Sequence, residues 1–166
     1  SRLWSVFCGV RSMMRKFVVV IAGAFLVFSF VADNTPPESM SAKVKAVFLY
    51  NFTKYVEWPQ SYKEGNFIIG IYGNNPFLVE ELNKMAKEKR AGIQSFEIKN
   101  LQALDGKTKY HMLFVSPDSE TPLNDITSKL KGKSTLLVTE KMGFAKQGAA
   151  INFVVQNSKQ RFELNK

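Results

Sequence analysis

Phe67-Ile-Ile-Gly-Ile-Tyr-Gly-Asn-Asn-Pro-Phe77 holds a strand, a turn and the start of a helix in one short stretch. Phe67 to Tyr72 is a near-continuous apolar run rich in β-branched residues, the pattern of a strand covered on both faces. Gly73 and Asn74 turn the chain. Asn75 is placed to cap a helix, and Pro76 falls at the first helical position, where its missing N–H costs nothing. Phe77, Leu78, Leu82 and Met85 then supply the apolar face of that helix.

Toward the C-terminus the alternation continues. A short strand is expected at Gln94 to Ile98, followed by a polar loop with Asp105-Gly106. A buried strand, His111 to Val115, stops at Ser116-Pro117-Asp118, Leu123, Ile126 and Leu130 mark a short helix, and Thr135 to Thr139 mark the next strand. Strand and helix in alternation predict an α/β domain with a largely parallel central sheet flanked by helices, a Rossmann-like arrangement. The end differs. Ala150 to Val155 and Gln160 to Leu164 are joined by the polar residues Gln156, Asn157, Ser158 and Lys159, which predicts an antiparallel hairpin at a sheet edge.

Toward the N-terminus, Ser41 reads as the cap of a helix whose apolar stripe is Val44, Val47, Phe48, Phe52, Tyr55 and Val56, with Lys43, Lys45 and Lys54 off the stripe and Pro59 ending it. Residues 33–40, with Pro36 and Pro37 among small polar residues, read as a linker. Residues 1–32 carry Arg2, Arg11, Arg15 and Lys16, no acid, and an apolar run from Phe17 to Ala32. Bases, an apolar core and then a polar stretch describe an export signal. The true start is expected at Met13 or Met14, just ahead of Arg15. Ala32 suits the position before a cleavage, whereas Phe30 is bulky where a small residue is preferred, so an uncleaved membrane anchor stays open as the alternative. The domain is thus expected over residues 41–166, in a periplasmic compartment.

These assignments change the meaning of composition. The chain has 166 residues, 23 Lys and Arg, 14 Asp and Glu, and a net charge of +9; the four leader bases taken from that total leave +5. Cys8 precedes the apolar run, so a lipid-anchoring cysteine after it is excluded, and residues 33–166 contain no cysteine and can form no disulfide among themselves. The densest basic cluster, Lys84, Lys87, Lys89 and Arg90, falls at a helix end, where the helix dipole favours cations, and nucleic acid is not an expected partner.

In parallel α/β sheets a ligand sits beyond the carboxyl ends of the strands. Those ends offer Gly73, Asn74, Asn75, Ser116 and Glu140 as a candidate ligand crevice, with the same residues read as plain turns and caps in the opposite view. The dinucleotide pattern G-x-G-x-x-G and the phosphate-binding G-x-x-x-x-G-K-[ST] are both absent. His111 is the single histidine and lies at the amino end of its strand, away from that crevice. One histidine without cysteine partners makes a poor base or metal site, so a structural role is expected, with no cofactor and no metal.

Several stretches together resemble the YfiR/HmsC-like periplasmic family. Lys43-Val-Lys-Ala-Val-Phe-Leu-Tyr-Asn-Phe-Thr-Lys-Tyr-Val-Glu-Trp-Pro59 is similar to the family's opening helix, with its A-x-F-L-Y-x-F core and W-P end. Ile71-Tyr-Gly-Asn-Asn-Pro-Phe77 is similar to its strand and G-x-[DN]-P-F turn, and His111 to Ser116 to its C-H-x-[LV]-[FY]-[IV] strand. Phe144-Ala145 through Gly148, Ile151-Asn-Phe153 and Arg161-Phe-Glu-Leu-Asn165 match its closing elements in order.

That resemblance implies a non-enzymatic periplasmic regulator that binds the periplasmic part of a membrane signalling protein and represses a diguanylate cyclase, in control of cyclic di-GMP and biofilm formation. A sensor kinase is the other membrane partner considered. A small-molecule sensor built on the crevice is the alternative function, and a homodimer and an unidentified small ligand are left open. Candidate partner contacts are Lys54, Glu57, Trp58, Phe144 and Arg161, with Trp58 foremost because an aromatic at a helix-stopping turn can anchor a partner. The sequence departs from the family in two places. Tyr110 stands where members often carry a cysteine, and the sequence stops at Lys166, ahead of the C-terminal helix that usually follows the F-E-[IL]-N strand, so a fragment or truncated copy is expected.

Overall fold

The computed structural model describes residues 37–157 and 159–165. The expected leader, the start at Met13 or Met14 and residues 33–36 of the expected linker lie outside the described residues.

The apolar run from Phe67 forms strand β1 (Phe67–Tyr72), followed by helix α2 (Pro76–Glu88). The Asn75 side chain accepts from the N–H of Leu78 at 3.1 Å, the expected cap. Before them runs α1 (Pro37–Tyr55). After them come β2 (Arg90–Ala91), β3 (Gln94–Leu101), β4 (Met112–Val115), α3 (Leu123–Leu130), β5 (Leu136–Thr139), β6 (Ile151–Gln156) and β7 (Lys159–Leu164). The sheet has seven strands in the order β2-β3-β1-β4-β5-β6-β7. Pairing is parallel from β3 to β6 and antiparallel at both ends, where β2 meets β3 and β6 meets β7. The α/β architecture with a terminal antiparallel hairpin is therefore the observed one. The β2–β3 hairpin is an addition: two paired residues around the Gly92-Ile93 turn are too short for any periodicity to reveal.

Alternation along the strands divides the core into two layers. Ile69, Ile71, Met112, Phe114, Val138, Ile151 and Phe153 meet α1 and α2 on one face. Leu113, Val115, Leu137, Tyr110 and Ala149 meet Leu123 and Ile126 of α3 on the other. Gly70, in the middle of β1, faces Leu101, Leu113 and Tyr110 so closely that a Cβ there would lie 2.9 to 3.0 Å from their carbons.

Five local expectations are corrected. Helix α1 begins at Pro37, so residues 37–40 are helical and not linker; proline is at home in a first turn, and Glu38 there suits the helix dipole. Ser41 is consequently no cap, and its hydroxyl donates to Gln160 Oε1 at 3.3 Å. The buried stripe is Ala42, Lys45, Ala46, Leu49 and Phe52, while Val47 and Tyr55 are 59% and 82% exposed. The helix ends at Tyr55, four residues before Pro59, because the residue preceding a proline is driven out of the helical region and Trp58 turns inward. Finally, Gln156 pairs directly with Lys159, so the β6–β7 turn has two residues where four were expected, and its first residue, Asn157, takes the left-handed conformation (φ 52°) that such turns require.

Candidate functional site

The chain passes from β1 outward to β3 and returns across β1 to β4, so the carboxyl ends of β1 and β4 form the point where strand order reverses. Gly73 and Ser116 stand there, with Gly73 N–H bonded to Leu101 O at 3.1 Å and Ser116 N–H to Tyr72 O at 2.9 Å. Gly73 has φ 97°, and a Cβ on it would lie 3.1 Å from both Ser116 Cβ and Asp118 Oδ1. The backbone of this turn is thus packed directly on the loop after β4, and Asn74 N–H donates to Asp118 Oδ2 at 3.3 Å.

Beside this point lies a groove of about 820 Å³. One wall is the first half of α1, with Met40, Ser41, Val44 and Lys45; the other is Asn74, Asn75 and Phe77, closed by Glu140 and by Val155 and Gln160 of the terminal hairpin. Of the five expected crevice residues the structure brings Asn74, Asn75 and Glu140 together on this groove. Gly73 and Ser116 do not line it; they lie behind it as packing, with Ser116 buried and its Oγ without a hydrogen-bond partner.

Lys45 is the residue that sequence reading missed. Its Nζ lies 2.5 Å from Glu140 Oε2, with both side chains largely buried. A lysine interrupting the Ala42, Ala46, Leu49 stripe was the available signal, hidden because the stripe itself was phased one flank too far round.

At the opposite end of the sheet His111 is fully engaged. Its Nδ1 accepts from Ile68 N–H at 3.0 Å, so the ring proton sits on Nε2 and is donated to Tyr62 O at 2.6 Å. The ring stacks on Phe67 with centroids 4.2 Å apart. Burial pushes its pKa down, opposed by the bond to the Tyr62 carbonyl. The histidine serves the fold.

The candidate partner contacts are dispersed. Lys54 and Glu57 are exposed at the end of α1, where Lys54 Nζ lies 4.5 Å above the Tyr50 ring. Trp58 is only 9% exposed; it packs edge-on against Phe67 at 4.9 Å and donates its indole N–H to His111 O at 3.1 Å. It is core, and the expectation of a surface anchor is corrected: a tryptophan at a helix end satisfies its N–H and its large area inward. Phe144 is half-buried on the α3 layer, and Arg161 is exposed on β7. A second cleft, of about 410 Å³, lies between the end of α1 and the β2–β3 turn, lined by Glu57, Lys63 and Ile93, the last 92% exposed.

The profile of the YfiR/HmsC-like family matches residues 42–166, which takes in nearly all of the described α/β domain. The chain belongs to the YfiR/HmsC-like family. Its members are periplasmic, non-catalytic regulators in cyclic di-GMP signalling. No curated protein matches the chain. For this YfiR/HmsC-like domain, among the described residues no cluster of three or more His, Cys, Asp and Glu side chains is spaced to hold a metal ion, and no helix is long and apolar enough to cross a membrane.

Proposed function

We propose that the protein is exported by its N-terminal leader and represses a membrane-bound diguanylate cyclase by binding that enzyme's periplasmic part. The carrying observation is the family match across residues 42–166. The disposition of polar groups agrees with a binding role: the single histidine is committed to backbone groups of the core, and the buried serine hydroxyl at the strand ends makes no hydrogen bond to a base. The contact surface proposed is the end of α1 with the β2–β3 turn, where exposed Glu57 and Lys63 line one cleft with exposed Ile93, and exposed Lys54 and Tyr55 lie at the same end of the helix. A large apolar side chain ringed by charges is the form that interface centres take.

The test is co-purification of the protein with the membrane cyclase from cells, with cyclic di-GMP measured alongside. Loss of the protein is expected to raise cyclic di-GMP, and Ile93→Asp to do the same with the fold intact. Unchanged cyclic di-GMP on loss of the protein overturns the repressor reading. Unchanged co-purification with Ile93→Asp overturns the surface.

The groove at the strand ends favours a second reading, a small-molecule sensor that feeds a membrane partner such as a kinase. Asn74, Asn75 and Glu140 converge there with Met40 and Phe77. Thermal-shift screening against periplasmic metabolites tests it, since a ligand that binds only the folded form raises the midpoint, and a flat response across the set removes it.

A further inference from the structure

We infer that the outer edge of β7 is a self-pairing surface, through which two copies of this chain join antiparallel with Arg161 of each copy facing Glu163 of the other. Strand β7 ends the sheet, and all of its side chains but that of Gln160 are exposed. The opposite edge is blunt, since β2 has two residues, whereas β7 has six. A long free edge is a template for another strand.

The direction of each backbone group follows from the pairing within the chain. Asn165 N–H donates to Ala150 O at 3.0 Å, so Asn165, Glu163, Arg161 and Lys159 turn their backbone groups toward β6. Gln160, Phe162 and Leu164 therefore turn theirs outward. Each copy offers three N–H donors and three carbonyl acceptors in a row.

Charge selects one register. An antiparallel pair must match outward residues with outward residues. Centred on Phe162, it sets Gln160 opposite Leu164 and Phe162 opposite Phe162 in hydrogen-bonded pairs, and Arg161 opposite Glu163 twice in the closer non-hydrogen-bonded pairs. A slip in one direction sets Arg161 against Arg161, and a slip in the other sets Glu163 against Glu163. Charges usually guard an edge by repulsion; here their alternation in sign is repulsive in the neighbouring registers and attractive in one. Arg161 has no ion pair among the described residues, and the Glu163 carboxylate only accepts from Asn152 Nδ2 at 3.3 Å, so both are available. On the other face Phe162, packed at 5.5 Å on Phe48 and 5.3 Å on Phe52, and Leu164, 60% exposed, would be covered by their counterparts.

Sedimentation velocity of the purified protein over about 1 to 300 µM tests this, a range suited to a small interface. A concentration-dependent dimer is expected. Arg161→Glu and Glu163→Arg should each weaken it at least tenfold, because either change makes both cross-strand pairs repulsive. An equimolar mixture of the two variants should dimerise again, since each then meets its opposite charge, and the double exchange in one chain should behave as the native protein does. The recovery on mixing separates pairing from damage to the fold. A native protein that stays monomeric, a dimer that both reversals leave intact, or a loss that mixing does not restore each overturns the proposal.

Discussion

The indole nitrogen of Trp58 lies 3.1 Å from the carbonyl oxygen of His111, which ties the segment after α1 to the residue just before β4. The bond is buried, and the ring fills the space beside Phe67. Trp58→Phe removes one donor while the carbonyl keeps the bond from the Leu136 N–H at 2.8 Å, so the expected loss is that of a single hydrogen bond, about 0.5–1.5 kcal/mol. Trp58→Ala also empties the site, with an expected loss of about 3–5 kcal/mol. Urea unfolding measures both. A partner-binding defect in Trp58→Ala is thus expected to follow the loss of fold, and Trp58→Phe, if folded, should bind normally.

His111 makes stability depend on pH in a set direction. Burial holds the imidazole below its ordinary value of 6.5. The unfolded chain therefore takes up a proton at a pH where the folded chain still lacks one. Stability contributed by this group is full above 6.5 and falls as the pH drops below it, until the folded form protonates as well. The slope from one proton is at most about 1.4 kcal/mol per pH unit. Protonation would also end the acceptance by Nδ1 of the Ile68 N–H. Urea midpoints at pH 7.5 and 5.5 should differ in the native protein, and His111→Gln should be less stable at both pH values with that difference reduced.

The parts of this molecule that could be read in advance are those decided by neighbours in sequence. A β-branched run, an Asn-Pro helix start and the change from strand to helix period all act within a few residues, so β1, the Asn75 cap and the parallel order of elements were legible. Helix phase was not, because Val47 and Lys45 compete for the core and only contact with Glu140, 95 residues away, decides it. Trp58 shows the same limit for sites. The residue type suits a partner surface or a core equally, and the His111 carbonyl that draws it inward is distant in sequence.

Gly73 carries a requirement that no other residue meets. Its φ of 97° is strained for any side chain, and a Cβ would stand 3.1 Å from Ser116 Cβ and Asp118 Oδ1. Gly73→Ala should cost about 1–3 kcal/mol in urea unfolding. Asn74, held by Asp118, should shift its amide resonance most, and Gly92→Ala, at a turn with open space around it, should show only the cost of its positive φ.

Asp105 organises the loop between β3 and β4. Its Oδ1 accepts from the N–H groups of Lys107 and Thr108 at 2.9 and 3.0 Å, and Oδ2 accepts from Thr108 Oγ1 at 2.6 Å. These bonds, led by that of the Thr108 hydroxyl, lower its pKa from 3.8 to about 2. The carboxylate's stabilising effect is present above the unfolded value and is lost as pH falls toward the folded one. A carboxyl carbon titration by NMR should place its midpoint near 2, and Asp105→Ala should speed hydrogen exchange at the Lys107 and Thr108 amides.

The Lys45–Glu140 pair lines the groove, and its two ends come from different elements: α1 supplies the ammonium and the residue after β5 the carboxylate. Removing one partner strands the other in a site with little access to water. Lys45→Met is expected to cost about 3 kcal/mol, and Glu140→Leu a similar amount. The double substitution leaves no charge behind, so it should be less destabilising than the sum of the two, with a coupling of about 1–2 kcal/mol from a double-mutant cycle in urea. A groove that serves as a ligand site adds a second signature. Any compound that raises the native midpoint by contact with Glu140 should lose that effect in Lys45→Met/Glu140→Leu even where the double variant is as stable as the native chain. Strict additivity of the two single costs would show that the pair does not act as a unit, and retention of the shift would place the compound elsewhere.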